Sequence, residues 1–124
     1  MYVGGGGSLN QAAQVDMNTG RVIWASTRGD GDVQSVAIQG SYLYIGGHFD
    51  CIAGSAPTKC SIKRQKAARF QLSNNALSNN WAPDFRGGFN GVWSMTGDTS
   101  ALYVGGNFSA VNGQVHQKFT IFRP

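Results

Sequence analysis

Two alternating aspartates are the chain's clearest candidates for binding an ion. Asp30 and Asp32 stand within Gly29-Asp30-Gly31-Asp32, which resembles a fragment of a calcium-binding loop. A calcium site takes about six to eight oxygen ligands, and neither a third alternating carboxylate nor an acidic residue downstream completes this set. We therefore predict no metal site. A turn between repeats is the favoured interpretation, with Asp30 and Asp32 kept as candidate ligand-binding residues.

The two cysteines bracket a short loop. Cys51 and Cys60 are predicted to form a disulfide, which for a ring of this size would stabilise the fold by about 2.5 kcal/mol. Reduced thiols and a metal site are the alternatives. There is no Cys-x-x-Cys motif, and His48 is the only imidazole nearby, so the metal alternative is poorly supported. The disulfide favours an oxidising compartment.

The three tryptophans could stack on the apolar face of a sugar ring or pack in the core. Trp24 and Trp81 are each followed by Ala at matching positions of a repeat, which favours packing between repeats. Trp93 has Gln34 as its counterpart and is therefore less constrained. Trp93 is the candidate ligand-binding aromatic, with a saccharide as the candidate ligand.

Positive charge is concentrated in one short stretch. The net charge of +4 comes from ten basic and six acidic residues, and the stretch holds five of the ten, leaving five basic against six acidic residues elsewhere. No aromatic interleaves the run before Phe70, so we predict a solvated loop and no nucleic-acid partner. Its basic residues are Lys59, Lys63, Arg64, Lys66 and Arg69.

Catalytic motifs are scarce. The chain has no Glu, two His, no Gly-x-Ser-x-Gly elbow and no pair of carboxylates placed by the repeats. We therefore predict no catalytic residue, no enzymatic activity and no cofactor. No stretch approaches the roughly 20 apolar residues of a membrane-spanning helix, so no membrane span is predicted either.

Internal repeats indicate the architecture that positions these residues. Val33-Gln34-Ser35-Val36 and Val92-Trp93-Ser94-Met95 each begin 11 positions before a Tyr-Ile/Val-Gly-Gly phrase. The phrases begin 42 and then 59 residues apart, and most of the extra length lies around the two cysteines. A period of about 42 residues is typical of a four-stranded propeller blade. The three phrases are Tyr2-Val3-Gly4-Gly5, Tyr44-Ile45-Gly46-Gly47 and Tyr103-Val104-Gly105-Gly106.

Local patterns agree with an all-β fold. Short segments rich in β-branched and aromatic residues are bounded by Gly, Asn or Asp, and no segment shows a sustained helical period. The complete repeat is predicted to form strands A to D at about 33–38, 42–49, 66–72 and 76–82. Glycine weakens a strand unless a bulge or a nearby backbone requires it, so the paired glycines are predicted to be structural. These are Gly4, Gly5, Gly46, Gly47, Gly105 and Gly106.

The repeat resembles a known family, the delta-sixty-like β-propeller repeats of bacterial secreted and cell-surface proteins, whose function is largely uncharacterised. A blade of that family reads as a Val-rich strand, Leu-Tyr-Val-Gly-Gly-x-Phe, Asn-Gly, Ala-x-Phe/Leu-Asp, Thr-Gly and Trp-x-Pro. The first repeat departs from it by lacking the Phe and the Asn-Gly turn. The matching segments are Leu102 to Phe108, Asn112-Gly113, Ala67 to Leu72, Asn18-Thr19-Gly20 and Trp81-Ala82-Pro83.

The predicted domain is one all-β propeller segment over residues 1–124, made of antiparallel four-stranded blades. Residues 1–27 would supply strands B, C and D of one blade, 33–83 a full blade, and 92–124 strands A, B and C of another. About 2.5 blades result, whereas a closed propeller needs about four. The open ends would expose edges and faces that favour association. The expected partner is another copy of the chain or the remainder of a larger propeller.

The function expected on this basis is a non-catalytic scaffold that presents loops on a rigid array. The alternative is a lectin-like propeller that binds saccharide through exposed aromatics, and an enzyme is the least favoured class. The resemblance and the cysteine pair together imply an extracellular or cell-surface location.

Overall fold

The structure, a computed structural model, describes residues 1–7, 9–53, 60–89 and 91–123. Within these ranges every helix or strand assigned is a β-strand, which confirms the all-β prediction. The strands are β1 (Tyr2–Gly4), β2 (Ala12–Val15), β3 (Val22–Ala25), β4 (Val33–Gln39), β5 (Tyr42–Gly47), β6 (Cys51–Ala53), β7 (Ile62–Lys63), β8 (Ala67–Gln71), β9 (Phe85–Arg86), β10 (Val92–Gly97), β11 (Leu102–Gly106), β12 (Ala110–Val111), β13 (Gln114–Val115) and β14 (Phe119–Phe122).

Three antiparallel sheets of three strands form the body of the protein. The first sheet has the order β1-β2-β3, the middle sheet β4-β5-β8, and the third sheet β10-β11-β14. Two small sheets are also present. The strands β6 and β7 pair with each other in the segment between the second and third strands of the middle sheet, and β12 and β13, in the corresponding segment of the third sheet, pair with each other and with β9, which precedes β10. Each main sheet contains one of the Tyr-Gly-Gly phrases, on β1, β5 and β11 respectively.

The fourth strand predicted for the middle repeat is reduced to a single bridge between Phe70 and Leu77. Two backbone hydrogen bonds flank it, from Gln71 N to Ala76 O (2.8 Å) and from Ser78 N to Arg69 O (2.8 Å). The stretch continues as Ser-Asn-Asn, and Asn is depleted in strands because its side chain competes for backbone hydrogen bonds. The main sheets observed therefore have three strands each.

Tight turns join consecutive strands of the main sheets. Gly20 and Gly40 adopt φ values of 72° and 58°, the left-handed region that favours glycine. The turn between β10 and β11 instead uses Asp98, whose Oδ1 accepts hydrogen bonds from Ser100 N (2.7 Å), Ser100 Oγ (2.8 Å) and Ala101 N (2.9 Å). Its Oδ2 accepts from Tyr103 Oη (3.0 Å). These bonds, the Ser100 backbone one foremost, lower the pKa of Asp98 to about 2.

The middle sheet is buried on both faces, because side chains alternate along a strand. On β5, Leu43 and Ile45 enter a first core shared with the first sheet, and Tyr44 enters a second core shared with the third sheet. The fully buried members of the first core include Ala12, Leu43, Ile45, Phe49 and Ala68, and those of the second include Ala67, Phe85, Val92, Leu102 and Val104. The three sheets thus pack in series, with one core in each gap.

Candidate interaction surfaces

Each gap between sheets contains the same tryptophan contact. Trp24 on β3 meets Phe70 of the middle sheet edge-on, with ring centroids 5.4 Å apart and planes at 71°. Trp81 meets Phe122 of the third sheet at 5.3 Å and 71°. Trp81 also lies 5.0 Å from the Tyr44 ring. The structure therefore places both repeated tryptophans between sheets.

The paired glycines lie where backbone passes close by. A Cβ on Gly47 would collide with Asp32 O, and a Cβ on Gly106 with Gly91 O; both oxygens belong to residues that enter the first strand of the same sheet. The strand pairing shifts register opposite these glycines, between Val33 and Ser35 in one sheet and between Val92 and Ser94 in the other. These shifts are β-bulges. A glycine is suited to a strand where there is a bulge or where another segment of backbone passes close by, and both features occur here.

The first glycine of each pair faces the following sheet. A Cβ on Gly4 would lie 2.6 Å from Val33 O, and a Cβ on Gly46 would meet the Val92 side chain. Val33 and Val92 occupy equivalent repeat positions, so the contact recurs from one gap to the next. In the third sheet, the nearest atom to such a Cβ on Gly105 is Ser94 Oγ, at 2.9 Å.

The outer face of the first sheet is apolar and open. Val3, Ala13 and Ala25 pair across the three strands and share the face that points away from the middle sheet. They line a hollow of about 210 Å³, and nearby Val22 and Leu9 are 63% and 54% exposed. The equivalent face of the middle sheet is covered by the first sheet.

The outer face of the third sheet is also open. Tyr103 pairs with Ile121, and Gly105 with Phe119, on the face opposite the buried Val104. A hollow of about 190 Å³ lies there, and Phe119 is 52% exposed. The equivalent face of the middle sheet contains Tyr44 and is covered by the third sheet. Both end faces are therefore repeat equivalents of faces that are buried inside the molecule.

The structure brings the predicted Trp93 together with two rings that the sequence interpretation missed. His48 lies 4.8 Å from Phe89 and 6.0 Å from Trp93, and Phe89 and Trp93 lie 6.4 Å apart at an angle of only 24°. Phe89 is 69% exposed. His48 stands where Asn107 stands in the next repeat, and a break in the repeat was the signal available in the sequence. We call these three residues the aromatic cluster.

The carboxylates of Asp30 and Asp32 bind loop backbone. Asp30 Oδ1 accepts hydrogen bonds from Asp50 N (2.8 Å) and Cys51 N (2.9 Å). Asp32 Oδ1 accepts one from Gly7 N (3.1 Å). No group of three or more His, Cys, Asp or Glu residues suited to a metal ion occurs in the described part of the chain. Both aspartates therefore have a structural use in holding loops together.

The prediction of a solvated basic loop is wrong for two of its residues. Lys66 is only 4% exposed and forms an ion pair with Asp50 (2.7 Å). Arg64 is 8% exposed and donates to Lys63 O (2.8 Å) and Ser78 O (3.0 Å), and its burial lowers the pKa of the guanidinium. Acceptors within reach let these cations be buried in the fold, which charge patterning alone does not reveal.

Arg69, from the same basic run, lies against aromatic rings. Its guanidinium carbon is 4.0 Å from the centroid of the Tyr42 ring, and its Nη2 donates to Asn80 Oδ1 (2.8 Å). This stacking combines a cation–π attraction with a hydrogen bond, so the charge is used within the fold. Lys63 is exposed on β7, as predicted, and Lys59 lies outside the described residues.

The predicted disulfide between Cys51 and Cys60 is confirmed, with their Cα atoms 5.5 Å apart. Cys51 lies on β6 and is 3% exposed. The bond ties the beginning of the insertion to the segment just before β7. Within the described ranges no helix is long and apolar enough to cross a membrane.

The chain matches no protein-family model, no curated protein and no solved structure.

Proposed function

We propose that the chain is a non-catalytic β-propeller scaffold, in which the three main sheets are successive blades. The observation that carries the proposal is the recurrence of one interface. The Trp24–Phe70 contact in the first gap has the same geometry as the Trp81–Phe122 contact in the second, to within 0.1 Å in centroid distance. Successive blades of a propeller are related by one repeated operation, and such an operation produces recurring contacts.

The order of strands within the sheets supports the same proposal. The middle and third sheets begin with strands β4 and β10, which carry the repeated Val-x-Ser motif. A Cβ on Gly97, at the end of β10, would lie 2.5 Å from Ile38 O on β4, so these two first strands run close to each other. Blades whose first strands adjoin around a common axis have the arrangement of a propeller.

Two open faces make the scaffold an interaction module. A sheet that exposes an apolar face tends to bury it against another layer. The open face of the third sheet is equivalent to the face that the middle sheet packs against the third sheet. The open face of the first sheet is equivalent to the face that the middle sheet packs against the first sheet. Further blades, from a second copy or from more chain, would stack on these faces by the contacts already present inside. The disulfide supports a secreted or cell-surface location.

Molar mass measured by light scattering over a range of protein concentrations tests the proposal. We expect oligomers to form because the two end faces bury each other, and to dissociate when the protein is diluted. Phe119→Asp places a charge on the open face of the third sheet. It should raise the protein concentration at which oligomers form by at least tenfold. Val115→Asp is the matched control, since Val115 is 79% exposed on the small strand β13 and lies outside both end faces.

Two outcomes would refute this interaction role. One is a wild-type chain that remains a folded monomer at all concentrations up to the millimolar range. The other is an assembly that Phe119→Asp and Val115→Asp weaken equally, because association would then not use the end face.

A second candidate function is carbohydrate binding, and the aromatic cluster is the observation that favours it. Phe89 and Trp93 are nearly parallel, and Phe89 is largely exposed. Trp93 is half-buried, and a pair of nearly parallel rings of which one is largely exposed suits the apolar face of a pyranose. Titration with soluble oligomers of glucose and of N-acetylglucosamine should quench tryptophan fluorescence in the wild type and in Phe119→Ala, an exposed aromatic outside the cluster. Loss of the response in Trp93→Ala would support this function, and no response in the wild type would exclude it for these sugars.

A further inference from the structure

Strand β1 presents an unused hydrogen-bonding edge. Met1 and Val15 exchange two backbone hydrogen bonds (3.1 and 2.8 Å), and Gly5 N donates to Gln11 O (2.9 Å). Hydrogen-bonded pairs alternate along an antiparallel ladder, so Val3 also bonds to β2 whereas Tyr2 and Gly4 point their N–H and C=O groups the other way. No strand pairs with β1 on that side within the described residues.

The equivalent edge is occupied in the other two sheets. Tyr44 and Gly46, the counterparts of Tyr2 and Gly4, lie opposite Ala37 and Ser35 of β4. Tyr103 and Gly105 lie opposite Thr96 and Ser94 of β10 in the same register. β4 and β10 therefore pair with those positions of β5 and β11 whose counterparts in β1 have no partner strand.

An apolar hollow of about 380 Å³ adjoins this edge. Its lining includes Met1 and Tyr2 on one side and Val36 and Ile38 on the other. Ile38 is 49% exposed, although it lies in the middle of the array. In the next gap the corresponding space, beside Tyr44 and next to β10, is filled by β4, whose Ala37 packs against the second core. The hollow thus has the position and the lining of a first strand that the described residues do not supply.

The glycine at position 5 supports the same conclusion independently. Its counterparts Gly47 and Gly106 lack a Cβ because the segment entering the first strand of their own sheet passes there. The nearest described atom to a Cβ on Gly5 is Gln11 O at 3.5 Å, an ordinary contact. Gly5 therefore leaves room for backbone that the segments entering β4 and β10 supply in the other sheets.

We propose that the β1 edge and its hollow bind an extended peptide strand with the alternating pattern shared by β4 and β10. The strand would run antiparallel to β1, with a small residue opposite Tyr2 and another opposite Gly4, as Ala37 and Ser35 lie opposite Tyr44 and Gly46. Backbone hydrogen bonds would supply affinity, the small side chains would face the hollow beside Ile38, and the alternate apolar side chains would extend the open outer face of the first sheet. This inference rests on the proposed function only in treating the first sheet as a repeat of the other two.

The probe is a fluorescein-labelled peptide with the sequence of residues 32–39, and binding is measured by fluorescence anisotropy. Methylating the peptide nitrogens that correspond to Ser35 and Ala37 removes the donors aimed at β1, and should weaken binding at least tenfold. Methylating the nitrogen that corresponds to Val36 is the matched control, because that group points away from β1. On the protein, Ile38→Asp should weaken binding at least tenfold and Val115→Asp should not.

Amide hydrogen exchange locates the bound peptide. We expect saturating peptide to slow exchange at Tyr2 and Gly4 at least tenfold, whereas Val3, already bonded to β2, should change little. Tyr2→Pro removes an outward N–H without breaking a β1–β2 bond and should abolish binding. If this variant does not fold, the methylated peptides make the same test on the wild-type protein.

Absence of binding at millimolar peptide overturns this inference, and so does binding that ignores peptide methylation or protects other strands. The scaffold proposal is judged separately, by the effect of Phe119→Asp on molar mass. Failure of the peptide to bind to a chain that still assembles through Phe119 would reject the strand site alone. Binding to a chain that stays monomeric would reject the assembly role alone.

Discussion

Trp24 meets Phe70 edge-on across the gap between the first and middle sheets. Trp81 and Phe122 repeat this contact in the next gap. Phe70 on β8 and Phe122 on β14 occupy equivalent positions, because they lie opposite Leu43 and Leu102 in the register of their sheets. Edge-to-face aromatic pairs add about 0.5–1.5 kcal/mol to the burial of their rings. One packing unit, used twice, thus joins three sheets whose connecting loops differ in length.

Replacing either tryptophan tests this packing unit. Trp24→Leu and Trp81→Leu should each lower the free energy of unfolding by about 1–3 kcal/mol, because a large ring is replaced by a smaller side chain. Trp81→Leu should cost more, since Trp81 also contacts Tyr44. Urea unfolding followed by circular dichroism measures both. Phe89→Leu, at a 69% exposed aromatic, is the control, and equal effects for all three variants would contradict the role of the tryptophans.

The glycine pairs give a second, sharper comparison. Gly47→Ala and Gly106→Ala should each destabilise the fold by at least about 2 kcal/mol, because the new Cβ would overlap backbone that cannot move alone. Gly5→Ala should cost less than about 0.5 kcal/mol, since only ordinary contacts surround that position. Thermal unfolding of the three variants measures the difference. A loss at Gly5 as large as that at Gly47 would show that the repeat needs glycine for another reason.

Repetition made much of the fold predictable from the sequence. The strand containing Tyr44, its neighbours and the tight turn at Gly40 follow from alternation and glycine placement, both local properties. The weak fourth strand near Leu77 does not follow, because the repeat predicts it while the Ser-Asn-Asn stretch disfavours it. Such a conflict between repeat and local propensity is settled by packing, which a sequence does not display.

The candidate site was predictable only in part. Trp93 stood out because it breaks the repeat, but its neighbours His48 and Phe89 are 45 and 4 residues away along the chain and are joined by sheet packing alone. Likewise, the burial of Lys66 depends on Asp50, 16 residues earlier, approaching within 2.7 Å. Contacts between segments that are distant along the chain carry no local signal in the sequence.

Reduction of the disulfide should measurably weaken the protein. Breaking the Cys51–Cys60 bond frees a short loop in the unfolded state, so the free energy of unfolding should fall by about 2.5 kcal/mol. Urea midpoints with and without dithiothreitol measure this loss. The double variant Cys51→Ala/Cys60→Ala should unfold near the midpoint of the reduced wild type and should not respond to dithiothreitol. Identical midpoints for oxidised and reduced wild type would contradict a stabilising role.

Asp98 should make the protein sensitive to strong acid. Its hydrogen bonds, led by the one from Ser100 N, lower the pKa from 3.8 to about 2 in the folded state. A carboxyl with a lowered folded pKa stabilises the fold fully above its unfolded pKa and loses that contribution as pH falls through the folded value. The contribution of Asp98 should therefore be constant above pH about 4 and disappear between about 4 and 2.

Two measurements check this pH dependence. Titration of the Asp98 side-chain carbon by NMR should give a pKa near 2 in the wild type and a higher one in Tyr103→Phe, which lacks the donor to Oδ2. The difference in Tm between wild type and Asp98→Asn should be constant from pH 7 to about 4 and then shrink, because protonation removes the charge that the Asn variant already lacks. A difference that stays constant down to pH 2 would mean that the charge of Asp98 does not hold the turn.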